Sequence, residues 1–196
     1  MKKFYVFALA AVAALVACNK DPEVQKEDDG NTTTEFKVVI NEVCGVVGYK
    51  GVELYNPSDK EVSLAEVTLV KNDEDAACWT GTADDKIAAK GYFIILAKKE
   101  CDEIKDITPN STASASFSPG QTLKLVLKDK DGNDLSTFTR GTADFGTGWG
   151  TKLEAVEYSF SLTQDGGSTW KLMDITMGKT NNGAAEHGDI PVVEAA

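Results

Sequence analysis

From Phe36 onward, apolar and polar positions alternate with a period of two. Phe36, Val38 and Ile40 share one phase, and Lys37, Val39 and Asn41 share the other, which predicts a half-buried strand. Val52-Glu53-Leu54-Tyr55 predicts a second strand, with Leu54 facing the core and Glu53 the opposite side. Asn56-Pro57-Ser58-Asp59 ends it: Pro57 presets φ, and Asn56 and Asp59 can bond the turn backbone. Val62 and Leu64 lie on one phase, Val67 and Leu69 on the other. The slip at Ala65-Glu66 predicts a bulge or bend. Tyr92 to Leu96 is an unbroken apolar run after Gly91, as expected of a central strand buried on both faces.

Leu123, Leu125 and Leu127 alternate with Lys124, Val126 and Lys128. Asp131-Gly132 then predicts a hairpin into Leu135 to Thr139. Residues 140–151 read as a glycine-rich loop. Tyr158, Phe160 and Leu162 alternate again, and Asp165-Gly166-Gly167 turns the chain into Trp170-Lys171-Leu172. Many short strands separated by turns, with no long helical period and no internal repeat, predict an all-β sandwich. Residues 184–196 carry little core pattern and are expected to be a frayed tail.

The N-terminus follows another pattern. Lys2 and Lys3 precede an apolar run from Phe4 to Ala17. A membrane-spanning helix needs about 20 apolar residues, and Asn19-Lys20-Asp21 stops this run short. The layout is that of a secretory signal. Leu15-Val16-Ala17-Cys18 resembles a bacterial lipobox, which implies a signal peptide over residues 1–17 and Cys18 as the acylated first mature residue. More than one acyl chain on Cys18 would hold the protein stably in a membrane. The expected location is therefore the bacterial outer membrane, lipid-anchored, with either face open. Residues 18–35 then form a flexible acidic tether. Its charges are read either as a plain spacer or as a surface-export signal.

Composition narrows the chemistry. The chain has 196 residues and a formal charge of −11, more negative still once Lys2 and Lys3 are removed. Such a surface disfavours phosphate backbones, so nucleic acid is not an expected partner. After Cys18, three cysteines remain, Cys44, Cys78 and Cys101, of which at most two can pair with each other; which two is open. There is one histidine, His187, and no CxxC, which argues against zinc. No cofactor is expected.

The patterned stretch is similar to the lamin-tail domain family. The residues carrying the resemblance are Val39-Ile40-Asn41-Glu42-Val43, then Val52 to Asp59, Val62-Ser63-Leu64 and Lys90 to Leu96. The Asp131-Gly132 hairpin, Trp170-Lys171-Leu172 and Gly178-Lys179-Thr180-Asn181 add to it. It covers about residues 36–183 and implies an immunoglobulin-like β-sandwich. Val67 stands where the family often has tryptophan, and Thr176-Met177-Gly178 lacks the family's usual proline. Family members in bacteria share no single activity.

Few residues single themselves out as chemical. Glu42 falls on the Phe36/Val38/Ile40 phase, and is expected to be partly buried and satisfied by a turn amide or a lysine. Asp129, Asp131 and Asn133 echo the start of a calcium loop, but position 140 is Arg140 where the distal glutamate belongs. They are weak metal candidates beside the simpler reading of a hairpin tip. Tyr49, Trp79 and Trp149 are the candidate ligand-contacting aromatics, although tryptophans capping the sandwich from inside are the commoner arrangement. No G-x-S-x-G is present, and His187 lies outside the patterned core, so no catalytic residue is assigned. The expectation is a non-enzymatic, membrane-anchored module contacting an envelope protein or glycan. The alternatives are a structural module with no dedicated ligand and an accessory subunit of an envelope hydrolase.

Overall fold

The computed structural model describes residues 37–45, 49–97, 107–116, 123–140 and 158–188. Among them the regular elements are all strands. These are β1 (Val39–Cys44), β2 (Gly51–Tyr55), β3 (Val62–Ser63), β4 (Thr68–Lys71), β5 (Ala77–Thr80), β6 (Lys86–Ile87) and β7 (Tyr92–Leu96). They continue as β8 (Ser111–Thr112), β9 (Leu123–Lys128), β10 (Asp134–Arg140), β11 (Ser159–Leu162), β12 (Trp170–Met173) and β13 (Glu186–Gly188). The larger sheet has the order β13-β12-β11-β1-β2-β7-β8, the smaller β10-β9-β4-β5, and β3 pairs with β6 alone. Pairing is antiparallel except between β7 and β8.

The predicted alternation builds the layer between the sheets. Ile40, Leu54, Phe93, Ile95 and Phe160 from the larger sheet join Leu69, Leu125, Leu127 and Phe138 from the smaller in one apolar cluster. Phe138 meets Phe160 edge-on at 6.0 Å and Trp170 at 5.0 Å. Burying each such side chain contributes about 1.5–3 kcal/mol. This is an immunoglobulin-like β-sandwich, as the sequence pattern and its resemblance imply.

Two local differences have physical causes, and one predicted hairpin forms. The phase slip at Ala65-Glu66 is a turn, with Glu66 at φ 63°, that carries the chain from the β3–β6 pair into the smaller sheet. The two phases therefore belong to two strands, not to one bent strand. The Asp131-Gly132 hairpin forms, with Gly132 at φ 85°. Of the expected tail over residues 184–196, the described part, 184–188, does not simply fray, and residues 189–196 lie outside the described residues. Glu186–Gly188 pairs with β12, and a Lys171–Glu186 ion pair, a His187–Asp174 hydrogen bond at 2.6 Å and a Tyr158–His187 ring stack at 3.7 Å hold it. The correction arises because β13 is exposed and polar, so it carries no alternation to read.

Candidate functional site

The most unusual chemistry lies on the outer face of the larger sheet. Along β1, Ile40 pairs with Leu54, and the next paired residue is Glu42, opposite Glu53. Asn41 is the extra residue of a β-bulge, which shifts the side-chain phase. Val43 thus returns to the core, while Glu42 joins Cys44 on the outer face. The expectation that Glu42 shares the Val38/Ile40 face is corrected by this bulge. Its expected partner, a turn amide, is present.

Two loops cover this face: the turn between β11 and β12, and the segment after β12. Asn41, Glu42 and Glu53 beneath them, and Asn181 within the covering segment, are all 0% exposed. Glu42 accepts the Thr176 N–H at 3.1 Å. Glu53 accepts from Asn41 Nδ2 at 2.9 Å and from the Gly178 N–H. Asp165 accepts from Asn41 Nδ2 and the Asn181 N–H, both at 3.0 Å, from the Tyr92 hydroxyl at 2.7 Å and from the Thr180 hydroxyl. Asn181 Nδ2 donates to the carbonyls of Leu162 at 2.9 Å and Asn41 at 3.2 Å. The covering loops are bound to the sheet by carboxylates and amides.

Burial and bonding set the charges. Burial, then the charge of Glu42, pushes the Glu53 carboxyl up to about 8. Burial also raises Glu42 above its ordinary 4.5, against the opposing pull of the Thr176 N–H. Burial alone would raise Asp165 too, but its donors, led by the Asn181 N–H, hold it below the ordinary value. Proton counting locates the proton of the glutamate pair. The Thr176 hydroxyl oxygen lies 2.6 Å from Glu42 Oε2 and 2.5 Å from Asn181 Oδ1. Asn181 Oδ1 only accepts, because its amide nitrogen is committed to two carbonyls. The single Thr176 proton therefore goes to Asn181, and the short contact to Glu42 needs a proton on Glu42. Glu53 takes an N–H donor on each oxygen, so the bonds put the shared proton on Glu42, and the raised value of about 8 belongs to the coupled pair and not to Glu53 alone.

The candidates from sequence fall in different places. Tyr49 and Trp79 are 1% and 5% exposed. Tyr49 packs with Cys44, Ile94 and Met177, and Trp79 lies in the main core with its indole N–H donated to Ser111 Oγ at 2.8 Å. Neither offers a ligand-contacting face, which corrects that expectation; their size and apolar surface are used for packing instead. Trp149, Cys18 and Cys101 lie outside the described residues, as do residues 1–35, where a signal peptide and tether are expected. Cys44 and Cys78 are buried thiols that do not bridge each other. They sit in different apolar clusters, Cys44 on the outer face and Cys78 in the main core, and burial pushes the Cys78 thiol up to about 11.

Asp129 and Asp131 line a cleft of about 340 Å³ with Ser63, Ala65, Glu66, Val67 and Lys130. Asp129 Oδ1 is occupied by the N–H groups of Asp131 and Asn133, and Oδ2 by Asn133 Nδ2, as in a capped hairpin tip. Among the described residues, no group of three or more His, Cys, Asp or Glu is placed to hold a metal ion. Asp165, Thr176 and Asn181 were not singled out as site residues. The available signal was the pair of glutamates in otherwise apolar strands, which needs polar partners from elsewhere in the chain.

No curated protein matches the chain. A family model, Lamin Tail Domain, matches residues 31–142, more than half of the chain. The matched span ends before β11, β12 and β13, although these strands extend the sheet that holds β1 and β2. The chain belongs to the lamin tail domain family.

Proposed function

We propose that this protein is a lipid-anchored module of the bacterial outer membrane that binds an envelope protein or glycan and catalyses no reaction. The observation that carries the reading is Leu15-Val16-Ala17-Cys18, placed after a short apolar run and ahead of a lamin-tail sandwich. Acylation of Cys18 fixes the anchor, and residues 18–35 set the domain off from the membrane. A structural role for the carboxylates supports the non-catalytic part: Glu42 and Glu53, both buried, and half-buried Asp165 accept hydrogen bonds that hold loops to the sheet. With Tyr49 and Trp79 in the interior, Trp149 is the remaining candidate aromatic contact.

The test uses the whole chain in cells. Cys18→Ser, or globomycin, should leave an uncleaved precursor that incorporates no labelled fatty acid. Normal maturation of Cys18→Ser would refute the anchor. Protease shaving of intact cells then assigns the membrane face. A glycan array and an envelope pull-down, each repeated with Trp149→Ala, test the binding role. A saturable ligand lost in that variant supports it, and silence in both assays refutes it in favour of a structural module.

A further inference from the structure

We infer that Asn182 is a site of spontaneous modification, where the side-chain amide passes through a cyclic imide to aspartate and isoaspartate, loosening the segment that covers Glu42 and Glu53. The reaction needs the backbone nitrogen of the following residue to attack the asparagine Cγ. Of the asparagines in the chain, only Asn182 precedes a glycine, Gly183. Asn56 precedes Pro57, which has no N–H to give up. Asn41 is fully buried, with its amide committed to Glu53 and Asp165.

Asn182 and Gly183 are both exposed. Their turn is closed by the Ala184 N–H on the Asn181 carbonyl at 3.1 Å. The Gly183 N–H makes no hydrogen bond among the described residues. Gly183 sits at φ 83° and carries no side chain to shield its nitrogen from the Asn182 side chain. Asn182 Oδ1 accepts the Asp165 N–H at 3.1 Å. That donor draws electron density from Cγ and stabilises the oxygen as it gains negative charge.

The steps balance with water as the only co-reactant. A solvent base takes the Gly183 N–H proton, the Gly183 N–Cγ bond forms, the proton is returned to Nδ2, the Cγ–Nδ2 bond breaks, and ammonia leaves. Water then opens the imide. Attack at Cγ gives aspartate, and attack at the backbone carbonyl gives isoaspartate. Either product adds a carboxylate beside Asp165. Isoaspartate also lengthens the main chain next to Asn181, which holds the Leu162 and Asn41 carbonyls.

The full-length protein, held in neutral buffer at physiological temperature, is peptide-mapped by mass spectrometry at intervals. Isoaspartate is read by enzymatic methylation. The Asn182 peptide should shift from amide to acid mass and become a methyl acceptor before any other asparagine peptide does. Gly183→Ala should slow the shift. Retention of the Asn182 amide for as long as that of Asn56 overturns the site. Hydrogen exchange at the Thr176 and Gly178 amides should be faster in the separated isoaspartyl fraction and in Asn182→Asp than in the parent. Unchanged exchange in both overturns the loosening.

Discussion

On its inner face, the larger sheet buries Ile40, Leu54, Phe93, Ile95 and Phe160 against the smaller sheet. On its outer face, the same strands bury Glu42 and Glu53 under loops. The inner contact is non-directional. Any apolar surface of suitable volume satisfies it, and its worth scales with area. The outer contact is counted bond by bond. Each buried donor or acceptor is either paired or costs about 1–3 kcal/mol. The inner face therefore supplies most of the stability, while the outer face specifies where the loops after β11 and β12 must lie.

The largest expected effect comes from the inner face. Phe160→Ala removes a fully buried ring that contacts Phe138 and lies beneath the Arg140 guanidinium at 4.9 Å. The expected loss is about 3–5 kcal/mol by chemical denaturation. A loss of under about 1 kcal/mol would mean that the layer between the sheets is not the main source of stability.

Asn181→Ala breaks the outer face at its centre. It strands the carbonyls of Leu162 and Asn41 and removes the acceptor for the Thr176 hydroxyl. The expected cost is about 2–4 kcal/mol. Its distinguishing mark is location: amide exchange should rise at Thr176 and Gly178 before it rises in β9 or β10. Uniform loss of protection would erase the contrast between the two faces.

How much of this was legible in the sequence follows the same division. The inner face depends on alternation, a local property, so β2, β7, β9 and the Asp131-Gly132 hairpin read directly. The outer face depends on contacts between residues far apart, such as Asn41 with Asp165 and Asn181 with the Asn41 carbonyl, separated by 124 and 140 positions. The bulge at Asn41 is defined by what lies opposite on β2, and nothing within Val39-Ile40-Asn41-Glu42 states it. Asparagine is depleted in strands, which was the one hint that the alternation would slip there. β13 escaped notice because an exposed polar strand buries nothing and leaves no period.

The effect that is smallest at any single pH step is the most discriminating, because it asks which glutamate carries the proton. Both carboxyls are raised, and Glu53 is pushed from 4.5 up to about 8. A raised folded value means that the folded state keeps its proton where the unfolded chain has lost it. The pair's contribution is complete below pH 4.5 and is lost as pH rises toward about 8. The slope is at most ~1.4 kcal/mol per pH unit for one proton. Asp165, held low by its donors, acts with the opposite sign and only in acid. With the proton on Glu42, Glu42→Gln is close to isosteric: its amide donates to the Thr176 oxygen, and its carbonyl accepts the Thr176 N–H. This variant should match the parent's stability near pH 4.5, flatten the slope, and so exceed the parent's stability increasingly as pH rises toward neutral. Glu53→Gln instead turns an amide N–H against either Asn41 Nδ2 or the Gly178 N–H, at a cost of about 1–3 kcal/mol. Urea titrations of both variants across the window between pH 4.5 and about 8 decide the matter. If Glu53→Gln is tolerated and Glu42→Gln is not, the proton belongs on Glu53, and the Thr176 hydroxyl donates to Glu42.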